Sequence, residues 1–184
     1  MKTKSLFTVA VLMGAMTMGV FTSCSSSDDN GGIETNVPDY TPASASFTYK
    51  STINPSLLEY VDVTVDYYDE NGNVKTEKIT EKEWTKKIAT KLPVKVAVRQ
   101  NLIKKEGIDY TKFDYITIET GLSVEGSILT KSGSAVGGIM LSDGSGHLSI
   151  PGDNFERFLT EKGTGYKKVF VQYDATGKKT DGNW

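Results

Sequence analysis

The chain has few of the residues that build covalent or metal-bound frameworks, with one cysteine and one histidine among 184 residues. A lone cysteine allows no disulfide within the chain, so the fold must depend on burial of apolar side chains. A lone histidine excludes a site built from several histidines, and we expect no metal and no other cofactor. The sequence therefore predicts a domain held together by its hydrophobic core.

The chain also has no excess of positive charge. Its 21 lysines and arginines face 23 acidic residues, for a net charge of −2. Binding to nucleic acid needs a basic surface that neutralises phosphates and releases their counterions. We therefore exclude nucleic acid as a partner.

No apolar run is long enough to span a bilayer, which takes roughly 20 residues. The longest run of apolar and small residues covers positions 6–20 and follows Lys2 and Lys4. A positive start followed by a short apolar stretch is typical of a secretory signal peptide, which is removed after export. We predict a cleaved signal peptide over residues 1–23.

The only cysteine, Cys24, comes directly after this segment. Phe21, Thr22, Ser23 and Cys24 resemble the lipobox of bacterial lipoproteins. This resemblance implies cleavage between Ser23 and Cys24, attachment of a diacylglycerol to the Cys24 thiol, and insertion of the acyl chains into membrane lipid. The other interpretation, a secreted protein with a free thiol, would leave an exposed group open to oxidation.

The residues after the cysteine carry a second resemblance, to the export signal of surface lipoproteins in Bacteroidetes-type bacteria. They are Ser25, Ser26, Ser27, Asp28 and Asp29. This resemblance implies an outer-membrane lipoprotein exposed at the cell surface. Residues 24–44 contain almost no apolar side chains, which predicts a flexible tether with a reach of roughly 25 Å.

Alternating apolar residues predict a β-rich domain after the tether. The first clear strand covers residues 59–68, and Asn71-Gly72 predicts a hairpin turn into a charged edge strand at residues 74–80. Residues 81–92 fit a helix or a strand, and we favour a strand. Further strands are predicted near residues 94–99, 113–129 and 166–173.

Glycines and a capping residue mark the remaining boundaries. Gly121 and Gly126 predict bulges or bends, and residues 131–138 predict a loop. Asp153 is the predicted cap of a short helix that ends at Gly163. The apolar stripe of that helix comprises Phe155, Phe158 and Leu159.

These elements predict an antiparallel β-sandwich, immunoglobulin-like in the loose sense, with one short C-terminal helix. Residues 45–130 form its predicted core, and residues 131–184 form a β/α portion packed on the same domain. Residues 57–125 resemble uncharacterised small lipoproteins of the same bacterial group, in the Val-rich strand, the Tyr-Tyr-Asp-Glu-Asn-Gly hairpin and the Lys-Leu-Pro that follows. That family brings no known activity.

Two clusters have residue types that can carry chemistry. Asp69, Asn71 and Asn73 begin like a calcium loop, but the pattern fails at its sixth and twelfth positions, so we expect a plain hairpin turn. A second cluster contains the side chains of a catalytic triad within five residues. It comprises Asp143, Ser145 and His147. A triad assembles from distant parts of a fold, so we expect a solvated glycine-rich turn and no catalytic residue.

Aromatic side chains are the remaining candidates for ligand contact, because exposed rings stack on sugars or on partner proteins. We expect Tyr68 and Trp184 to be the most exposed of eight. The other six are Tyr67, Trp84, Tyr110, Tyr115, Tyr166 and Tyr173.

Three functions are compatible with the sequence. The first is a non-catalytic binding or accessory module, lipid-anchored in the cell envelope and facing a glycan or protein ligand. The second is a surface hydrolase that acts on glycan or peptide through paired carboxylates. The third is a fimbria-like structural subunit that assembles through an exposed strand edge.

Overall fold

The computed structural model describes residues 39–184, which lie within one compact unit. The predicted signal peptide, Cys24, the predicted export signal and most of the predicted tether lie outside the described residues. Residues 39–184 contain nine strands and one α-helix, with short 3-10 helices at Pro55–Glu59 and Tyr110–Lys112. The elements are β1 Pro42–Ile53, β2 Val61–Tyr68, β3 Val74–Ile79, β4 Glu83–Lys91, β5 Val94–Lys104, β6 Tyr115–Thr130, β7 Ala135–Pro151, α1 Gly152–Lys162, β8 Lys167–Tyr173 and β9 Lys179–Thr180.

The strands form two antiparallel sheets. Sheet A has the order β4-β1-β6-β7, and sheet B has the order β3-β2-β5-β8-β9. The predicted β-sandwich is therefore confirmed, with α1 as its short C-terminal helix. The core lies between the sheets because one side of each strand carries the apolar residues.

β2 illustrates how the sequence builds this core. Val61, Val63, Val65 and Tyr67 are buried, while the alternate residues face away from it. The hairpin turn that follows is the predicted one, and the Asp69 carboxylate accepts hydrogen bonds from its backbone N–H groups. The two donors are Asn71 N at 3.0 Å and Asn73 N at 2.8 Å. These bonds occupy the carboxylate oxygen Oδ1, as expected of a turn.

The ambiguous segment after β3 is a strand, as favoured, but it does not pair with β3. β4 crosses to sheet A and pairs with β1 over Ser44–Thr52. β1 itself was not predicted, and it begins at Pro42, inside the last residues assigned to the tether. Its outward side chains are serine, threonine and lysine. These polar residues lower the average hydropathy of the segment, although Phe47 and Tyr49 are buried.

The predicted loop and glycine-rich turn after β6 are also wrong. Only a short turn follows β6, and β7 then runs beside β6 for 17 residues. β7 contains a bulge in which Asp143 and Gly144 lie opposite Leu122, and Gly144 has φ +66°. Gly121 borders this bulge, as predicted.

Gly126 has a different role from the predicted bend. It lies opposite Phe47 of β1, and a Cβ built on it would overlap the Ser46 carbonyl oxygen and the Phe47 Cβ. Glycine is required there by the close approach of the two strands.

The helix differs from prediction only at its start. Pro151 occupies the N-cap position, so the predicted cap Asp153 lies in the first turn, and no side chain of residues 39–184 donates or accepts a capping hydrogen bond there. Phe155 and Leu159 are buried as predicted, Phe158 packs against the core, and Gly163 is the C-cap. β8 then enters sheet B between β5 and β9. Residues 131–184 therefore supply strands to both sheets of the one sandwich.

Candidate functional site

The two aromatic residues predicted to contact a ligand meet on the outer face of sheet B. Tyr68 ends β2 and points away from the core, like Asp66 two residues earlier. The chain after β9 crosses the same face, where Gly182 packs against the ring of Phe170. This path brings Trp184 to Tyr68, with 5.5 Å between their ring centroids.

Two cations border these rings. The Arg99 guanidinium carbon lies 4.5 Å from the centroid of the Trp184 ring, and the Lys95 Nζ lies 5.6 Å from the centroid of the Tyr68 ring. Both distances are within the range of attractive cation–π contacts. We name Tyr68, Lys95, Arg99 and Trp184 the cation–aromatic surface.

A buried carboxylate holds Arg99 in place. Asp66 is 6% exposed and accepts hydrogen bonds from Thr76 Oγ1 at 2.6 Å, Arg99 Nε at 2.7 Å and Asn101 Nδ2 at 3.0 Å. Burial raises the pKa of Asp66, but these hydrogen bonds outweigh burial, so the net shift of the pKa is downward. The Arg99 Nη groups make no hydrogen bond within residues 39–184, so they are free to bind a ligand oxygen.

The strands beneath this surface carry more cationic than acidic side chains. The register of β2, β3, β5 and β8 directs four cationic and two acidic side chains to the outer face of sheet B: Lys78, Lys95, Arg99, Lys168, Asp62 and Asp66. Asp62 pairs with Lys78 and Asp66 pairs with Arg99. Lys95 and Lys168 form no ion pair within the described part of the chain. A protein of net negative charge thus concentrates unpaired cations on this face.

A cleft of about 340 Å³ adjoins Lys95 at the end of the sandwich. The β2–β3 turn forms one wall, and the turn between β4 and β5 forms another. Thr90 Oγ1 donates a 2.7 Å hydrogen bond to the Glu70 carbonyl oxygen and connects the two walls. Other lining residues are Asp69, Asn71, Gly72, Pro93, Val94 and Gln172. The cleft extends the cation–aromatic surface toward sheet A.

The expectation that Tyr68 and Trp184 are the most exposed aromatic residues is wrong. Both are half-buried because they pack against each other, and Trp184 Nε1 is buried with no partner within residues 39–184. Tyr115 is 66% exposed, whereas Tyr67 and Tyr110 belong to the core. Three further rings are partly buried against the core: Trp84, Tyr166 and Tyr173.

Asp143, Ser145 and His147 follow one another along β7 and do not assemble a triad. Asp143 lies in the bulge, where its carboxylate accepts a 2.7 Å hydrogen bond from Lys168 N and its carbonyl accepts one from Lys167 Nζ at 2.8 Å. His147 lies opposite Glu119 on the outer face of sheet A. No hydrogen bond joins His147 to Ser145 or to Asp143.

Ser145 lines a shallow groove of about 450 Å³ on sheet A, beside Thr52, Asn54, Lys82 and Glu119. Glu119 is the only carboxylate that lines this groove. Within residues 39–184 no three metal-ligating side chains gather at one point. Every carboxyl group in this part of the chain that has a shifted pKa is shifted downward. They are Asp39, Asp66, Asp69, Glu77, Asp109 and Asp174.

Sequence reasoning identified the two rings but not the cations beside them. The available signal was the alternation in β5, where Lys95 and Arg99 are four residues apart and therefore share a face. It could not show that this face lies under Trp184, because that contact depends on the path of the C-terminal segment.

Comparison with protein-family models, with curated proteins and with solved structures finds no match to this chain. Among the described residues no helix combines the length and the apolar character that a membrane span requires.

Proposed function

We propose that this protein is a lipid-anchored component of the bacterial cell envelope, a non-catalytic binding module held on the outer membrane through acylated Cys24. Its ligand surface is the cation–aromatic surface together with the adjoining cleft. The observation that carries this proposal is the meeting of Tyr68 and Trp184 with Lys95 and Arg99 on one face.

The charge of this face indicates an acidic ligand. Asp66 fixes Arg99 through Nε, which leaves the Nη groups able to bind a carboxylate or sulfate oxygen. Lys95 adds a second cation on the same strand, roughly 13 Å away at about 3.3 Å per residue. The two rings provide apolar area between the cations. An acidic glycan fits this arrangement, since it combines spaced charges with sugar rings that stack on aromatic side chains.

The hydrolase alternative receives less support from the same residues. Glycoside hydrolysis by paired carboxylates needs one carboxylic acid whose raised pKa keeps it protonated. The carboxyl groups with shifted pKa values in residues 39–184 are all shifted the other way. Binding without turnover is thus the better match to these side chains.

The anchor is tested by Cys24→Ala in the native host. We expect the wild-type protein in the membrane fraction and the variant outside it, because roughly 0.8 kcal/mol per buried methylene is lost with the acyl chains. Mass spectrometry of the native protein should find a lipid on the Cys24 sulfur. An unmodified sulfur, or equal membrane fractions for both forms, would contradict the anchor.

The ligand surface is tested with residues 25–184, produced without leader or lipid, on an array of acidic glycans, neutral glycans and acidic peptides. We expect acidic glycans to be retained without product formation, and binding to weaken with salt. Lys95→Gln should weaken retention about fivefold, which corresponds to the loss of one charge contact. The matched control is Lys87→Gln, on the outer face of β4.

Product formation in this assay would favour the hydrolase. Retention of the acidic peptides alone would assign a protein partner instead of a glycan. Equal loss of binding in the Lys95 and Lys87 variants would remove the cation–aromatic surface from the proposal.

A further inference from the structure

β7 forms one edge of sheet A. Its partner on one side is β6, and no strand within residues 39–184 pairs with its other side. Alternate backbone N–H and C=O groups along that free side have no strand partner and can accept another strand.

The other long edge strands carry charges that oppose such pairing. β4 contains Glu83, Lys86, Lys87 and Lys91, while β3 contains Lys75, Glu77 and Lys78. β7 has a single charged residue in 17, Asp143, and that carboxylate is engaged by Lys168 N within the bulge. Lysines on an edge prevent pairing between copies, and β7 lacks this protection.

Two bulges divide β7 and leave a regular segment between them. One bulge contains Val136 and the other contains Asp143 and Gly144. The uninterrupted segment between the two bulges is Gly137–Ser142. Its outward side chains include Met140, which is 82% exposed and is the most exposed large apolar residue described. Gly138, two residues earlier, has nothing within 4 Å of where a Cβ would lie.

We propose that Gly138–Ser142, within this regular segment, pairs with the same five residues of a second copy of this chain. The two strands run antiparallel around a twofold axis at Met140, and the two A sheets join into one. A twofold axis perpendicular to the sheet pairs outward residues with outward residues, so Met140 lies opposite its own copy. By the same rule Gly138 lies opposite Ser142, and Ile139 lies opposite Leu141.

The scarcity of charge on β7 favours a second copy of this chain as the partner of its free edge. No like charges meet in this register, whereas two copies of β4 would bring lysines near lysines. Pairing also places the exposed Met140 side chain beside the same side chain of the second copy. This inference is independent of the proposed ligand and of the anchor.

The test uses residues 25–184, which contain no cysteine, in sedimentation experiments over a range of concentrations. We expect a monomer–dimer equilibrium, and we expect Met140→Lys to raise the dissociation constant about tenfold by placing two charges opposite each other. The control is Ala89→Lys, which adds the same charge to β4 at the opposite edge of sheet A. It should leave the dissociation constant unchanged.

A second measurement fixes the register without relying on the charge. The Met140→Cys variant should be linked rapidly by a short thiol-to-thiol reagent, and the Ala89→Cys variant should not. A protein that remains monomeric up to about 1 mM, an equal effect of both lysine variants, or a dimer of the Met140→Cys variant whose two thiols cannot be linked would each overturn the proposal.

Discussion

At the scale of single residues, Glu77 joins the two sheets at one side of the sandwich. This β3 carboxylate accepts hydrogen bonds from Tyr67 Oη at 2.5 Å in the same sheet, and from Trp84 Nε1 at 2.8 Å and Lys86 Nζ at 2.9 Å in β4 of the other sheet. Partial burial raises the pKa of Glu77, but the hydrogen bonds from these three donors outweigh burial and bring the pKa down to about 2. Glu77 therefore links the two sheets by charge-assisted hydrogen bonds, in a chain whose single cysteine allows no internal disulfide.

We expect Glu77→Gln to lower stability at pH 7 by about 1 kcal/mol, since part of each charge-assisted bond is screened by solvent. The folded pKa of about 2 lies below the ordinary value of 4.5. The ionised carboxylate therefore stabilises the fold above pH 4.5, and this contribution is lost as pH falls from 4.5 toward 2.

The difference in stability between wild type and Glu77→Gln should accordingly shrink over that pH range. Urea unfolding at a series of pH values measures it, with Glu161→Gln on the exposed side of α1 as the control. A difference that stays constant from neutral pH down to the folded pKa would show that the carboxylate charge contributes nothing.

At the scale of elements, β1 and β6 approach too closely for any side chain at Gly126. We expect Gly126→Ala to destabilise the domain by about 1–3 kcal/mol, because the new methyl group would overlap the Ser46 carbonyl and Phe47. Gly138→Ala is the matched control, since its added Cβ would meet nothing within 4 Å. Thermal unfolding should separate the two variants, and equal midpoints would mean that the strands can move apart at no cost.

The elements also show what local patterns can and cannot predict. β2, α1 and β8 were predicted because their alternation or helical spacing places apolar residues on one side, and the hairpin turn was predicted from Asn71-Gly72. β1 and most of β7 were not, since serine, threonine and glycine occupy their outward positions and weaken the apolar signal. Their strand conformation depends on pairing with β6, a contact that lies far away in sequence.

Only the two aromatic residues of the candidate site were predicted from the sequence. Tyr68 and Trp184 were selected as exposed rings, and the fold instead packs them together. The positions of Arg99 and Lys95 beside them follow from the β2–β5 register and from the path of the C-terminal residues after β9. Neither can be read from a local pattern.

At the scale of the whole molecule, the order of strands makes residues 139–184 inseparable from the rest. β7 pairs with β6 in sheet A, and β8 lies between β5 and β9 in sheet B. The Asp143 bulge also connects these two strands across the sandwich, through Lys167 and Lys168. A chain that ends at Gly138 would lack β8, α1 and most of β7, and would expose Val96, Val98 and Ile118 to water.

We expect that shortened chain to show no cooperative unfolding transition, whereas residues 25–184 should unfold in a single step. Burial of three aliphatic side chains is worth roughly 1.5–3 kcal/mol each, which is comparable to the whole stability of a small domain. Near-UV circular dichroism and tryptophan fluorescence measure the transition, because Trp84 is present in both chains; Trp184 adds to the fluorescence of the longer chain. A sharp transition in the chain ending at Gly138 would mean that residues 139–184 are an appendage and that the five-stranded sheet is not needed for folding.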